Sequence, residues 1–569
     1  MSPFEQQPSA EWLEAESTDE DAAGRTSTWF ALRNAVFCRL WLASVFSGVF
    51  VAAQDLAATW LMHDLGASSL SLSLMATAAA APFFLFTLPA GAIADIVNRR
   101  TVIISAAVYQ GVCSAFLALG AWTHLLDANA LLAFVFALGV GLAFSAPVWG
   151  AVIPDIVNRD ELPSAITLGG VQLNLAGIVG PALGGFLLPL LGAPLLISLN
   201  ALAFACVALV VWQWRPPKTQ PARFRENFTS SLISSLRYAR NSQRTRLILF
   251  RNALFSVVIS VIPALLPVIG LREMKLPAGQ IGLIFACVGV GSLGGAVFAL
   301  PYFRRRVSPN AIISIAMTTM VLLLLAMALL RQAPLLMLSA TLAGVAWAIA
   351  GSELWVAGQR VAPAWVRGRM NSLQIMSGQG GLTIGAIIWG TGAVSLGLDF
   401  TLAAAAALAL AALAIGQRFS VNFASEASVD AAPLNHLHEL PIVPEDDQGP
   451  IRVTIEYVIA SEDREEFRTL MREVQATFRR NGAFQCRLDE SLNQPGVFHL
   501  EYMVSTWAEH LRQNMRMTVD ETRVFERAWH LHSGGSKPAV RHFLSTQRSM
   551  HLPGFGTSDR AFEQPTKIA

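Results

Sequence analysis

Charged residues are scarce in this 569-residue chain: Asp, Glu, Lys and Arg together make up 14% of it. Soluble proteins carry about 25%, and the mean hydropathy here is +0.48. The shortage of charge argues against an ordinary soluble protein and predicts a polytopic membrane protein. No nucleic-acid partner is expected, whereas membrane lipids are.

Cysteines are also few, and none of the common cofactor motifs is present. The five cysteines are scattered and four lie in apolar runs, which argues against a disulfide framework or a cysteine metal site. His436, His438, His530 and His532 form two His-x-His pairs without a completing ligand set, so no metal is expected. Walker A, dinucleotide-binding and nucleophile-elbow patterns are absent. We therefore expect no cofactor, and an ion gradient rather than ATP as the energy source.

Long apolar runs divide most of the chain into segments that match the thickness of a bilayer core. We predict twelve spans, in two groups of six, near 40–61, 71–93, 102–122, 130–152, 164–190, 194–213, 247–270, 279–302, 309–330, 335–357, 371–393 and 397–416.

Arginines concentrate in alternate turns between these spans, as in Asn98-Arg99-Arg100 and Arg304-Arg305-Arg306. Because short cytoplasmic loops retain Lys and Arg, these turns predict a multi-pass protein of the cytoplasmic (inner) membrane with both termini in the cytoplasm.

The composition predicts seven regions. They are a disordered cytoplasmic tail (1–30), an N-terminal six-helix half (31–214), a cytoplasmic linker (215–246), a C-terminal six-helix half (247–418), a second linker (419–449), a soluble α+β domain (450–546) and a tail (547–569). In the first linker, Leu232, Ile233, Leu236 and Tyr238 alternate with arginines, which predicts an amphipathic connector at the inner leaflet.

Local similarities between the two groups of spans indicate an internal repeat. Val152-Ile153-Pro154 ends span 4, and Val361-Ala362-Pro363 follows span 10; Gly91 near the end of span 2 corresponds to Gly295 in span 8. A parallel repeat about an axis along the membrane normal is typical of two-halved transporters.

The soluble region reads as strand, helix, two strands, helix and strand, with strands near 451–459, 483–489, 496–504 and 540–544 and helices near 461–480 and 506–528. This order predicts a ferredoxin-like domain. It resembles the small domains of the antibiotic-biosynthesis-monooxygenase type, which implies dimerisation or ligand sensing as alternatives to an enzymatic role.

The turn from Gly91 to Arg100 carries Asp95, Arg99 and Arg100 in the pattern Gly-x-x-x-Asp-x-x-x-Arg-Arg. From charge alone, a membrane-edge anchor is an equal alternative. The pattern resembles the loop between helices 2 and 3 of the major facilitator superfamily, which implies a twelve-helix fold of two pseudo-symmetric halves that works by alternating access.

Two further segments narrow the resemblance: Arg39-Leu-Trp41-Leu-Ala before span 1 and Arg367-Gly-Arg369-Met-Asn371 before span 11. With the Gly91–Arg100 loop they resemble the transmembrane secretion effector group, a branch that includes the enterobactin exporter. The resemblance implies that Asp95 and Arg99 belong to a cytoplasmic gate and that Arg367 or Arg369 is its counterpart in the other half.

Two acids lie inside apolar spans, Asp55 in span 1 and Glu353 in span 10. Ionisable groups in a membrane are costly and mark functional sites by default. Each is a candidate proton-coupling carboxylate, and the alternative is a hydrogen bond to a neighbouring helix.

Span 5 contains Gly180-Pro181-x-x-Gly184-Gly185, whose small residues favour close helix packing. The segment resembles in part a motif of drug/proton antiporters, which implies efflux. The polar or aromatic residues that we expect to line a substrate cavity, with helix packing as the alternative, are Gln54, Trp149, Asn174, Trp355 and Gln374.

Together these features predict a secondary transporter, not an enzyme, that exchanges protons for a small organic molecule resembling a siderophore or an antibiotic. A membrane-tethered monooxygenase-like enzyme and a proton-coupled importer remain open alternatives.

Overall fold

The computed structural model describes residues 29–158, 160–214, 236–329, 332–363, 365–419, 444–445, 447–535 and 537–544. The chain forms two compact units that divide between Val429 and Asp430. The first unit is helical, and the second combines helices with a four-stranded sheet.

Twelve long helical segments make up the described part of the first unit. They are α1 (Ala35–Asp64), α2 (Ser69–Ile96), α3 (Arg99–Trp122), α4 (Ala128–Ile156), α5 (162–191), α6 (193–213), α7 (Gln243–Glu273), α8 (Ala278–Arg304), α9 (Pro309–Leu329), α10 (Ala333–Val361), α11 (Arg367–Ser395) and α12 (Leu398–Arg418). The predicted twelve-helix architecture is confirmed.

By length and composition, ten helices in the described residues are able to cross a membrane, and one of these is the continuous run Leu162–Gln213. This run breaks at Gly192, whose φ of 77° and ψ of 162° are not helical. Glycine adopts positive φ without a steric penalty, so the single run supplies both α5 and α6. The remaining helix, α11, is less apolar because its middle reads Ser377-Gly-Gln-Gly-Gly381.

Polar side chains begin the first four helices. Asn34, Ser68, Asn98 and Asp127 each accept a hydrogen bond from a backbone N–H in the first turn of α1, α2, α3 and α4 respectively. These caps satisfy donors that a helix start leaves unpaired. Several helices also run past their predicted apolar spans: α2 ends at Ile96, α4 at Ile156 and α10 at Val361.

One end of the bundle, which we call the arginine-rich face, holds the start of α1 and the turns with Arg99, Arg304 and Arg367. Toward the opposite face, a single buried apolar core joins residues of both halves, including Leu56 of α1, Leu265 of α7 and Ala386 of α11. Near the arginine-rich face, smaller clusters lie within one half, and another joins Leu88 of α2 to Met370 and Leu373 of α11. The two halves are therefore packed together by the large core toward the opposite face and by a smaller cluster near the arginine-rich face.

The halves meet along two helix pairs, α2 with α11 and α5 with α8. Near the end of the 215–246 linker, Tyr238 is buried and its hydroxyl donates to Val361 O at 3.3 Å. The ring also packs edge-on against Trp365, 5.8 Å between centroids. Tyr238 therefore packs against the turn after α10, and the position of the connector at the inner leaflet stays a prediction; Leu232 and Ile233 lie outside the described residues.

The second unit contains β1 (Ile451–Val458), α13 (Arg464–Arg480), β2 (Phe484–Glu490), β3 (Val497–Val504), α14 (Trp507–Met515), α15 (Val519–His530) and β4 (Ala539–Leu544). The sheet is antiparallel in the order β2-β3-β1-β4, with Val453 opposite Tyr502 on one side and His542 on the other. The predicted α+β fold is confirmed.

The helices of this unit cover one face of the sheet, and its core is aromatic. Tyr457, Phe467, Phe478, Phe498 and Phe525 are fully buried. The single helix predicted near 506–528 is two helices, because Thr518 and Glu521 form a capping box that starts α15. The Thr-x-x-Glu spacing was a readable signal for this start.

Candidate functional site: a cavity that ends at Asp55

A cavity of about 660 Å³ lies within the N-terminal half of the membrane unit. Residues of α1, α3, α4, α5 and α6 line it, together with Phe83 of α2. It extends from Phe37 and Ile156, near the arginine-rich face, to Asp55 in the second half of α1. This volume is in the range of pockets that hold drug-sized molecules, about 300–1,000 Å³.

Asp55 marks the junction of this cavity with a second one. The smaller cavity, about 240 Å³, lies between the halves, with Pro181 of α5, Pro263 of α7 and Phe285 of α8 on its wall. The Asp55 side chain is exposed to this internal space. Among the residues that the structure describes, no hydrogen bond or ion pair reaches its carboxylate, and its backbone carbonyl accepts from Thr59 Oγ1 at 2.8 Å.

The wall of the larger cavity is mostly apolar and rich in aromatic rings. The rings belong to Phe37, Trp41, Phe83, Trp149 and Phe204, and the amides to Gln110 and Gln172. Trp41 is held in place by its indole N–H, which donates to Leu168 O at 2.8 Å. Asp55 is the one ionisable side chain among the described lining residues.

Gln54 lies behind the wall rather than on it. Its Oε1 accepts from Asn200 Nδ2 at 2.8 Å and from Ser114 Oγ at 3.0 Å, and all three side chains are buried. Successive residues of a helix point about 100° apart, so Asp55 and Gln54 face different surroundings. The prediction that Gln54 lines the cavity does not fit this geometry.

Of the other four predicted cavity residues, one lies on the cavity wall and three do not. Trp149 lies on the cavity wall. Asn174 is half-buried and donates to Gly170 O at 2.8 Å, one turn earlier in its own helix. Gln374 is buried and donates to Leu354 O at 2.7 Å, which ties α11 to α10, and Trp355 is 40% exposed away from this cavity.

Glu353, the second candidate for proton coupling, is buried in an ion pair. Its Oε1 is 2.6 Å from Arg304 Nε, which joins α10 to the end of α8. The Glu353 carboxylate is thus already paired with a cation of the protein itself. This geometry favours the alternative of a contact between helices, and a coupling role for Glu353 stays a prediction.

The predicted gate residues cluster at the arginine-rich face, where α2 meets α11. A Cβ added to Gly91 would lie 3.2 Å from Ser372 Oγ of α11, so the halves touch here; the Asp95 side chain lies outside the described residues. Arg100 does not point across the halves. Its guanidinium donates to Val211 O at 3.3 Å and to Trp212 O, both at the end of α6.

Arg367 is exposed, and its Nε donates to Ala362 O at 3.5 Å in the turn before α11. Arg99 and Arg369 both have interaction partners. The structure therefore assigns Arg100 to packing within the N-terminal half, and the gate role of the other arginines stays a prediction.

The glycines of span 5 serve two different helix contacts. A Cβ on Gly180 would lie 2.8 Å from Val49 O, and one on Gly184 would lie 3.1 Å from the Cα of Ala53, so both glycines pack against α1. Gly185 packs instead on α8, where a Cβ added to Gly282 would lie 2.7 Å from Gly185 Cα and from Pro181 O. One face of α5 is thus joined to α1 and another to the opposite half.

In the second unit, a buried histidine pair connects α14 to β4. His510 Nε2 lies 3.1 Å from His542 Nε2, and His510 also packs on Trp507. Burial, and next the neighbouring His542, lower the pKa of His510 to about 4, and burial lowers the pKa of His542.

Of the two His-x-His pairs in the sequence, one lies within the described residues and does not form such a site. His436 and His438 lie outside the described residues, His530 is exposed, and His532 Nδ1 accepts from Val458 N at 2.9 Å. Within the described ranges, no three His, Cys, Asp or Glu side chains converge in a way that would hold a metal ion.

Comparison with known proteins places this geometry in a family. The profile described as transmembrane secretion effector matches residues 26–550, which span both units. The chain belongs to this family. It is therefore a transporter of the major facilitator superfamily, as the sequence predicted.

Among the relatives of this chain is the multidrug efflux pump Tap of Mycobacterium tuberculosis (strain ATCC 25618 / H37Rv), 24% identical over 318 residues, which are 53% of this chain and 75% of Tap. The enterobactin exporter EntS of Salmonella typhimurium (strain LT2) is 26% identical over 266 residues, 46% of this chain and 62% of EntS.

Solved structures of transporters agree with this chain in fold. The nucleoside transporter NupG covers 67% of this chain and 98% of its own, with a TM-score of 0.54 at 13% identity. A bacterial homologue of the iron transporter ferroportin, in an inward-facing state, covers 68% of this chain and 99% of its own, with a TM-score of 0.55 at 17% identity.

Residues that the sequence did not single out form much of the cavity wall, among them Phe37, Ser47 and Phe83. Each span is apolar on all of its sides, so the periodicity of apolar residues does not distinguish a lipid-facing phenylalanine from a cavity-facing one. The amides Gln110 and Gln172 carry a readable signal, because they are polar residues within apolar spans.

Proposed function

We propose that this protein exports a small organic molecule from the cytoplasm in exchange for protons, with the Asp55 carboxylate as the coupling group. The observation that supports it best is the position of Asp55 at the junction of two cavities, without a polar partner among the described residues. The efflux function of Tap and the export function of EntS support the direction.

A carboxylate in such surroundings is stable in two ways. An uncompensated buried charge is costly, so the group either binds a proton or pairs with a cation. The large cavity reaches Asp55 from the arginine-rich face, and the small cavity lies toward the opposite face. A rocking motion of the halves that closes the first route and opens the second moves a proton inward and substrate outward.

The proposed orientation puts the arginine-rich face in the cytoplasm and both termini on that side, in the inner membrane. The supporting observation is that arginines occupy alternate turns of the bundle, the distribution expected of cytoplasmic loops. With this orientation the larger cavity extends from near the cytoplasmic face to Asp55. The Gly91–Ser372 contact between α2 and α11 is then part of the gate on that side.

The test is transport by the full-length protein in proteoliposomes with an imposed pH gradient. Asp55→Asn removes the charge and nearly preserves the side-chain volume, and we expect it to abolish gradient-driven transport. Asp64→Asn, an exposed position at the end of the same helix, is the matched control and should leave transport intact. Gradient-driven transport by Asp55→Asn at the wild-type rate would refute the coupling role.

Direction is tested separately, in cells that produce or lack the protein. Cells without it should retain more of an exported compound. A lower retained amount would indicate import instead.

We also propose that the C-terminal unit pairs with a second copy through the sheet face that none of its described helices covers. That face carries opposite charges, with Arg452 and Glu501 4.0 Å apart and Arg541 and Glu456 3.7 Å apart, beside the 40% exposed Phe543. Sedimentation of the purified unit, with Arg541→Glu as the disrupting variant, tests it; a wild-type monomer at all concentrations would rule it out.

A further inference from the structure

The charge of the cavity wall indicates which of two kinds of cargo, each exported by a relative, this cavity favours. Tap is named for multidrug efflux and EntS for the siderophore enterobactin. The described wall holds one carboxylate, on Asp55, and no cationic side chain. An anionic cargo would find no counter-charge there and would be repelled by Asp55.

Aromatic rings occupy several positions on the same wall. Trp41 and Trp149 lie on α1 and α4, and Phe83 and Phe204 on α2 and α6. Aromatic faces attract cations, more strongly where water is displaced, and they stack on flat organic rings. Both features favour a cargo that is aromatic and positively charged.

The absence of a protein partner for Asp55 strengthens this point. Glu353 is neutralised by Arg304 at 2.6 Å, whereas the Asp55 carboxylate contacts no described cationic side chain. The negative charge of Asp55 is therefore neutralised by a cation that enters the cavity. One carboxylate accommodates one positive charge, from a proton or from a cargo cation.

We propose that this cavity takes an aromatic cargo with a single positive charge, and that the cargo cation and the proton occupy the Asp55 carboxylate in turn. This inference rests on the proposed function and specifies its cargo and its exchange ratio. Exchange of one proton for one monocation moves no net charge across the membrane. Catecholate-like anions are rejected by the same site.

The experiment measures equilibrium binding to the purified full-length protein in detergent, with tetraphenylphosphonium and tetraphenylborate as probes. These ions have nearly the same shape and opposite charge. The wild type should bind the cation more tightly by about tenfold or more, because the Asp55 carboxylate attracts the positive charge and repels the negative one across an apolar cavity. Its affinity for the cation should fall as the pH is lowered, with one proton released per cation bound.

Variants assign the preference to one residue. Asp55→Asn should bind both probes with similar affinity and lose the pH dependence, and Asp55→Glu should keep the cation preference. Asp64→Asn is the control and should match the wild type. Size-exclusion chromatography confirms that each variant is folded, and Asp55→Glu keeps the test decisive if Asp55→Asn does not fold.

Equal binding of the two probes by the wild type, or a cation preference that survives in Asp55→Asn, would overturn the inference. Because binding is measured without a gradient, the outcome is independent of transport. A protein that selects the cation but does not exchange it for protons in proteoliposomes would overturn the proposed function and leave the cargo class standing.

Discussion

The buried histidine pair makes the stability of the C-terminal unit dependent on pH. His510 is 2% exposed, and its Nε2 contacts His542 Nε2. In the pair, one ring nitrogen donates to the other, so the accepting ring carries no proton on its Nε2. Protonation would place a charge in an apolar core of Trp507, Tyr502 and Phe525 and beside a second imidazole.

The size of the effect follows from the pKa of His510. Burial and the neighbouring His542 lower this pKa from 6.5 to about 4. At 1.36 kcal/mol per pKa unit, the difference in the His510 pKa between the unfolded and folded states corresponds to about 3 kcal/mol of folding stability. Because the folded state binds the proton less well, this stability is present in full above about pH 6.5 and is lost as the pH falls toward 4.

The assay is urea unfolding of residues 430–569, which have their own core, followed by tryptophan fluorescence at several pH values. Between pH 7 and pH 4, the free energy of unfolding of the wild-type unit should fall by about 3 kcal/mol more than that of His510→Gln, because glutamine does not titrate. His530→Gln, at an exposed position of α15, is the control and should retain the wild-type slope. Parallel pH dependences for wild type and His510→Gln would refute the reasoning.

Three further substitutions test contacts between helices. Gly282→Ala places a methyl group 2.7 Å from Gly185 and Pro181. It should slow transport in proteoliposomes about tenfold or more, because the methyl group keeps α5 and α8 apart. Gly294→Ala, the control on the same helix, places its methyl group in open space and should leave the transport rate unchanged. Glu353→Gln should lower the melting temperature in detergent because Arg304 loses its partner, while transport persists; abolished transport in a folded variant would instead support proton coupling. Glu521→Gln breaks a buried contact with Arg480 at 3.0 Å and should destabilise the C-terminal unit by about 3 kcal/mol in urea. An unchanged urea midpoint would contradict that estimate.

The sequence predicted the fold well where a physical pattern repeats along the chain. Twelve apolar runs produced twelve helices, and alternation in residues 451–459 and 496–504 produced β1 and β3. Apolar length and period are properties of the segment itself, so they are readable without knowledge of the neighbours. Even the break between α14 and α15, which the prediction of a single helix missed, had a local signal in the Thr518–Glu521 capping box.

Positions in the site were harder to predict, because they depend on how each helix is rotated. Asp55 and Gln54 are neighbours in sequence, yet one faces the cavity and the other is buried against Asn200. In a membrane helix that is apolar all round, no polar face fixes the rotation. The partner of Glu353 was equally hidden, since Arg304 lies 49 residues away on another helix.

The two faces of α5 determine which parts of the protein are able to move with Asp55. Gly180 and Gly184 hold α5 against Val49 and Ala53 of α1, within two turns before the carboxylate. Both contacts lie within the N-terminal half, so we expect α1 and α5 to move as one body, whereas the equally close contact of α5 with α8 at Gly282 joins the two halves and has to open when they rock. Under the proposed mechanism Asp55 is then a fixed point of the N-terminal half, and its exposure changes when the wall formed by α7 and α8 passes over it. We expect the residues that set the rate of that passage to lie in the C-terminal half, on the Pro263 and Phe285 side of the smaller cavity.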